Sequence, residues 1–339
     1  MNIFDFFSSP IGLGHITRDI AIVNNFQNFQ INFISGSGAS KILENLNFNI
    51  QNRYNPPSFK IKNGTLENSG KWLWNYYKYY KDCKNISQEI IQKDKPNLVI
   101  SDEDFASLSI AQEMEIPTVL ITDVLETRFT KGIISFIEKK MNKSMQKIIN
   151  KCDIVIIPEN GKNHDNIKYV GPIVRQTNFS REELRQKFSF TCKTIVISVG
   201  GTSAGEFLIE KALESIFKIN QDFEIVVVSG PAINKKFENV RNLGFVTNLH
   251  EIIFAADLLI SLAGKSTIDE AIAYGTPSIF IPIDGHFEQE DNAKEQGFVF
   301  NDINRLEELI LQKIEQKRNQ TNYNGANESA EIIKKLMIK

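Results

Sequence analysis

The sequence predicts an α/β protein of two Rossmann-like halves, each a parallel sheet wrapped in helices, with the sheets facing across a cleft. The strand candidates are continuous apolar runs separated by helix-length segments, which marks parallel strands buried on both faces. The series also halts at a polar segment bearing prolines and glycines, then restarts.

In chain order, first-half strands are expected at Ile3–Phe7, Ile31–Ile34, Leu98–Ser101, Thr118–Ile121 and Ile154–Ile157. Second-half strands are expected at Thr194–Val199, Glu224–Val228, Leu258–Ser261 and Ser278–Ile281. The interruption is Pro158–Gln176, so domains are expected over 1–160 and 177–324 with a linker at 161–176. Spacing and composition predict helices at Glu307–Lys317 and Glu328–Lys339, and a helix over 325–339 is free to pack back on the first domain. The 339 residues are long for one core and comfortable for two.

A net charge of −2 gives no general attraction to nucleic acid, so no nucleic-acid partner is expected. Cys83, Cys152 and Cys192 lie far apart and make neither a disulfide framework nor a metal spacing. The N-terminus reads as a first strand interrupted by Asp5, not as a basic leader, and no apolar run approaches the ~20 residues that span a bilayer. The expectation is a cytoplasmic chain that at most touches the inner face of the cell membrane.

Sheets of this class bind ligands beyond the C-terminal ends of their strands. The first such loop runs Ser8 to Asp19, where Gly12 and Gly14 let the backbone turn and approach a ligand. Thr17 stands where a dinucleotide fingerprint needs its third glycine. His15 opens the following helix, where a neutral imidazole can take a hydroxyl proton, and Arg18 is a candidate for an anionic substrate group. The third strand ends in Asp102-Glu103-Asp104. Asp102, nearest the strand, is the favoured partner to orient the imidazole, with Asp104 second; an acidic turn or helix cap is the plain alternative. No second group of carboxylates stands at a suitable spacing for a divalent cation, so no metal is expected.

In the second half, Val199–Gly205 is a glycine-rich turn at a helix start, carrying Gly200, Gly201, Thr202 and Ser203. The strongest stretch is Ala263-Gly264-Lys265-Ser266-Thr267, followed by Glu270: an apolar strand, a small-residue turn, then a helix opening with hydroxyls. Helix N-termini present unpaired N–H groups and partial positive charge, a natural seat for phosphate. Beyond the next strand comes HFEQEDNA, with Glu288, Gln289 and Asn292. A phosphate seat followed by carboxylate and amide groups suits a nucleotide carrying a sugar.

GLGHITR, SDEDF with IAQEMEIP, VGGTSAG, LAGKSTIDEAIAYGTPSIFIP and HFEQEDNA, in that order, resemble the two-domain GT-B nucleotide-sugar glycosyltransferases. Within these the chain is most similar to the branch of the peptidoglycan-lipid N-acetylglucosaminyl transferases and the UDP-glycosyltransferases. The resemblance implies that His15 is the general base with Asp102 supporting it, and that Gly200–Ser203 face the donor. It also implies that Phe245 and Val246 pair with the uracil edge, Gly264–Thr267 hold the diphosphate, and Glu270 holds the ribose hydroxyls. Glu288 and Gln289 would read the sugar, with Asn292 behind them. Ser261-Leu262 replace the histidine or arginine that many relatives carry before the diphosphate turn, leaving Lys265 to supply the cation.

The implied reaction is transfer from a nucleotide-sugar donor, UDP by expectation, to a hydroxyl acceptor, with inversion and without a cofactor or metal. Glycosyltransfer has rivals on the same fold: a UDP-sugar hydrolase, which the GHxxR spacing at Gly14–Arg18 also resembles, and a 2-epimerase. An inactive sugar-nucleotide-binding subunit is the rival outside enzymology. Lys71–Lys81 packs two tryptophans, four tyrosines and three lysines together. Lys139, Lys140, Lys143, Lys147 and Lys151 recur beside Ile133, Ile134, Phe136, Ile137 and Met141. Such stretches suit a glycan or lipid-linked acceptor at a membrane surface, or simply two amphipathic helices with lysine-rich solvent faces.

Overall fold

The computed structural model describes residues 2–58, 60–67, 69–128, 135–201 and 203–337. The chain divides into two compact units: Met1–Ser58, Asn68–Val174 and Tyr323–Lys339 in the first, Phe59–Glu67 and Arg175–Asn322 in the second. Ile133 and Ile134 lie outside the described residues.

The N-terminal part of the chain runs β1 (Ile3–Ser8), α1 (Gly14–Val23), β2 (Gln30–Gly36), α2 (Ser37–Asn45) and β3 (Ile50–Tyr54). A hairpin, β4 (Lys60–Lys62) with β5 (Thr65–Glu67), precedes the long α3 (Ser69–Asp94). Then come β6 (Leu98–Asp102), α4 (Phe105–Glu113), β7 (Thr118–Ile121), α5 (Ser135–Lys151), β8 (Ile154–Ile157) and β9 (Ile167–Tyr169). Apart from the hairpin, these strands form one seven-stranded sheet in the order β3-β2-β1-β6-β7-β8-β9, every pair parallel. Phe4, Phe6, Val99, Ile100, Val119 and Leu120 are fully buried, which is why these strands read as unbroken apolar runs.

The second unit carries α6 (Arg181–Phe188), β10 (Thr194–Ser198), α7 (Glu206–Ile216), β11 (Glu224–Val228), β12 (Arg241–Asn242) and α8 (Leu249–Ala255). It continues with β13 (Leu258–Leu262), α9 (Lys265–Ala273), β14 (Ser278–Ile281), α10 (Phe287–Glu295) and α11 (Leu306–Lys313). Its sheet is β12-β11-β10-β13-β14, again parallel throughout. The final helix, α12 (Gly325–Met337), belongs to the first unit and packs on α1.

In both sheets the strand order reverses once, between β1 and β6 and between β10 and β13. Those two points are where ligand crevices form in open α/β sheets. The break between units, at Val174–Arg175, falls inside the segment read as a linker, 161–176, although that segment also carries β9. The hairpin at 60–67 lies among first-half residues in sequence yet belongs to the second unit.

Candidate active site

In the first unit, Ser8 and Asp102 end β1 and β6 as register partners, and the Ser9 amide bonds to the Asp102 carbonyl at 2.9 Å. Past β1 the loop turns at Gly12, with open space beside it, and Gly14 starts α1. His15 therefore stands one residue into α1, over the end of β6. Its Nδ1 lies 2.8 Å from Asp102 Oδ1, so Nδ1 carries the proton and donates it. Arg18, one turn on, clasps the same carboxylate: Nε to Oδ2 at 2.5 Å and Nη2 to Oδ1 at 2.6 Å. Its Nη1 faces Asp123 Oδ1 at 3.3 Å. On the other side of the imidazole, Nε2 lies 3.7 Å from Glu103 Oε2.

Asp102 is fully buried and the Arg18 side chain 3 % exposed, whereas the His15 side chain keeps 18 %. A buried ionic group must balance its charge. Burial disfavours the charge of Asp102, but Arg18 and His15 outweigh it and hold the carboxyl well below the usual range. Burial also opposes the imidazolium, yet the Asp102 charge prevails and raises His15 to about 9. Burial, then the charge of Asp123, pushes Glu103 well above the ordinary carboxylate range. Burial and the charge of Asp102 do the same to Asp19, which accepts from Ser8 Oγ at 2.5 Å. Arg18 and His15 thus face Asp102 and Asp123, whose carboxyls are held low, while those of Glu103 and Asp19 beside them are pushed up.

Two expectations change here. Asp104 does not serve His15. It caps α4, accepting from the amides of Ala106 and Ser107 at 3.3 Å each, and from Tyr54 Oη at 2.8 Å. Arg18, expected to meet a substrate anion, is buried and committed to Asp102 and Asp123. Glu103 and Asp123 were not singled out. Asp123 repeats the pattern of Asp102, a carboxylate just past an apolar strand, which was the available signal.

In the second unit, the turn after β10 holds Gly200, with φ +79° and open space beside it, and Gly201; Ser203 is exposed. A Cβ on Gly230 would lie 2.0 Å from the Gly200 carbonyl oxygen, so the loops after β10 and β11 touch through bare backbone. Thr202 lies outside the described residues. Phe245 and Val246 are half-buried just past β12. Beyond β13, Ala263 is buried and Gly264 caps α9 in extended conformation, again beside open space. Ser266 and Thr267 stand half-buried in the first turn. Asn292 Nδ2 donates to the Ala263 carbonyl at 3.2 Å, and Gln289 Oε1 accepts from the Ile283 amide at 3.1 Å. Glu288 occupies the first turn of α10.

Lys265 and Glu270 have partners of their own. Lys265 Nζ bonds Asp269 Oδ1 at 2.7 Å, one turn along α9, so its charge is already matched. Glu270 is buried against Arg175: Nε to Oε1 at 2.7 Å and Nη2 to Oε2 at 3.1 Å. Arg175 Nη1 also donates to the Thr247 carbonyl at 2.7 Å. Arg175 escaped the sequence reading because it lay in the segment taken for a linker.

Residues 194–336 match the model of the glycosyltransferase family 28 C-terminal domain. An uncharacterized glycosyltransferase of Methanosarcina acetivorans is 25% identical over 321 residues, 85% of this chain and 82% of that protein. The chain is a glycosyltransferase. A Clostridium novyi protein is 24% identical over 89% of this chain and 87% of its own: a UDP-N-acetylglucosamine–N-acetylmuramyl-(pentapeptide) pyrophosphoryl-undecaprenol N-acetylglucosamine transferase. The solved glycotransferase of kitacinnamycin matches in fold with a TM-score of 0.71 at 11% identity, over 99% of both chains. The glycosyltransferase carries a GT-B-type pair of α/β units, and no helix among its described residues is long and apolar enough to cross a membrane.

Proposed function

We propose that this glycosyltransferase moves a sugar from a UDP-sugar to a hydroxyl acceptor with inversion, His15 acting as general base. One observation carries the reading: His15 is held through Nδ1 by a buried Asp102 while its ring keeps part of its surface exposed and its other nitrogen faces Glu103 at 3.7 Å, at a sheet's switch point. As the acceptor oxygen attacks the anomeric carbon, its proton passes to Nε2, and the bond from that carbon to the diphosphate breaks. Asp102 stabilises the imidazolium so formed. The departing diphosphate is received at the start of α9 by the amides of Lys265–Thr267, with the bare backbone of Gly264 letting it approach, beside the loop of Gly200, Gly201 and Ser203. Phe245 and Val246 face the uracil, and Glu288, Gln289 and Asn292 the sugar side. No metal or cofactor enters this reading.

Calorimetry with UDP tests the donor half: wild-type protein binds it, and absence of binding overturns the assignment. The base half has a pH signature. His15 must be neutral to accept a proton, and its folded-state value is about 9. Activity is therefore expected to climb with pH until about 9, rather than levelling near the ordinary histidine value. The His15 ring followed by NMR should titrate at the same point, and Asp102→Asn should bring it down, since that removes the charge that raised it. A ring titrating near neutrality in the wild type would contradict the buried charge balance.

The acceptor side carries a further proposal. Trp74 and Tyr77 on α3 are exposed, with Lys78 Nζ 5.8 Å from the Trp74 ring and Lys81 Nζ 4.6 Å from the Tyr77 ring. Phe136 and Ile137 on α5 are exposed in a helix with Lys139, Lys140, Lys143 and Lys147. Half of the aromatic stretch serves the core instead: Trp72 is buried and donates to the Pro57 carbonyl at 3.1 Å. Exposed amphipathic rings with lysines over them suit an anionic lipid surface and a lipid-linked acceptor. Trp74→Ala with Tyr77→Ala should reduce sedimentation with phosphatidylglycerol vesicles severalfold, while vesicles of phosphatidylcholine alone bind neither protein.

A further inference from the structure

The hairpin β4–β5 leaves the first-half sequence to join the second unit, and what it touches there is specific. Thr65 forms a parallel β-bridge to Asp284. The Leu66 amide donates to the Asp284 carbonyl at 2.8 Å, and the Asp284 amide donates to the Gly64 carbonyl at 2.9 Å. Thr65 Oγ1 adds a bond to Asp284 Oδ2 at 3.2 Å. All the backbone bonding of Asp284 thus goes to a segment 219 residues away.

Asp284 sits at the centre of the loop before α10. Its neighbours on either side are tied to that helix: the Ile283 amide to Gln289 Oε1 at 3.1 Å, and the Gly285 amide to Glu290 Oε1 at 2.8 Å. The loop therefore has two edges. Its inner edge is fastened to the first turn of α10, where Glu288 and Gln289 stand, and its outer edge to the hairpin.

The hairpin is itself seated firmly. Ile61 and Leu66 pack against the hydrophobic core of the second unit. Gly64 turns at φ +81°, and a Cβ there would come within 2.8 Å of the rings of both Phe207 on α7 and Phe300. Only glycine closes the hairpin in that space. A cavity of about 270 Å³ beside the tip is bordered by Asn63 and Gly64 on one side and Ser203 and Phe207 on the other. One short segment thus borders both the turn after β10 and the loop before α10.

We infer that the hairpin 60–67 is a positioning element for the donor sugar, with Thr65 and Gly64 fixing the loop that aims Glu288 and Gln289. The inference rests on the UDP-sugar reading above. A hydrogen-bonded frame that sets side-chain direction affects the groups read through it and spares those bound elsewhere. The uracil and diphosphate residues lie after β12 and β13, and among the described residues the hairpin bonds to neither loop. The hairpin should therefore matter for the sugar and not for UDP.

The test uses the full chain as wild type, Thr65→Ala and Gly64→Ala, titrated with UDP and with UDP-N-acetylglucosamine, UDP-N-acetylgalactosamine, UDP-glucose and UDP-galactose. In the wild type one of the four sugars binds most tightly. Thr65→Ala, which deletes one hydrogen bond without strain, should weaken that sugar about three- to tenfold and leave the Kd for UDP unchanged. Gly64→Ala should weaken it further and flatten the preference among the four. Hydrogen exchange at Ile283–Gly285 should quicken in both variants. Equal weakening of UDP and UDP-sugar, or no change in either, overturns the inference, as does a wild type that binds all four no differently from UDP. A wild type that fails to bind UDP overturns the donor assignment instead, so the two failures are distinct.

Discussion

His15→Ala lowers kcat about 10²- to 10⁴-fold, the usual contribution of a positioned general base, and leaves the Kd for UDP unchanged. The separation follows from where the residues sit: His15 belongs to the first unit, and the residues proposed for the donor belong to the second. Asp102→Asn should lose nearly as much activity for another reason. An asparagine can present its NH₂ to Nδ1 and favour the wrong tautomer, and it leaves the buried Arg18 without the anion it clasps. That variant should therefore lose stability as well as rate, whereas His15→Ala, at the accessible edge, should lose mainly rate. Incubation of wild type with a UDP-sugar and no acceptor completes the comparison. Intact donor is expected; steady release of free sugar would make water the acceptor, and an altered sugar still on UDP would mean epimerisation.

The central strands were legible because they are buried on both faces, so β1, β6, β7, β10 and β13 appear as uninterrupted apolar runs. The edge strands β3 and β9 obey no such pattern. β3 is Ile-Gln-Asn-Arg-Tyr with its middle exposed, and β9 is half-buried, so neither stood out from the loops around it. The hairpin was invisible for a different reason: its partner Asp284 lies 219 residues away, and no local periodicity encodes that pairing. At the site, residue type and strand end sufficed to find His15 and Asp102. They named Asp104 second and passed over the adjacent Glu103. Backbone conformation decides between the two, because Glu103 adopts a left-handed φ of +57° and Asp104 then falls into the cap position of α4. The pairing of Lys265 with Asp269, four residues on, was by contrast open to reading from spacing alone.

Arg175→Ala should cost about 3 kcal/mol of stability. Glu270 is 4 % exposed and both its oxygens go to Arg175. Removing the guanidinium leaves a carboxylate that must stay charged without a partner or take up a proton inside the protein. It also releases the Thr247 carbonyl, which Arg175 holds at 2.7 Å ahead of α8. Part of the cost belongs to the stranded charge, so Arg175→Ala with Glu270→Ala together should cost less than the two single variants summed. Urea denaturation of the four proteins gives the coupling, expected at about 1–3 kcal/mol for residues in direct contact. A coupling near zero would mean that the pair is solvated in solution, leaving Glu270 free for a ribose without competition. A large one means that any ribose bound by Glu270 shares it with Arg175, which then sets the orientation of the carboxylate that the donor meets.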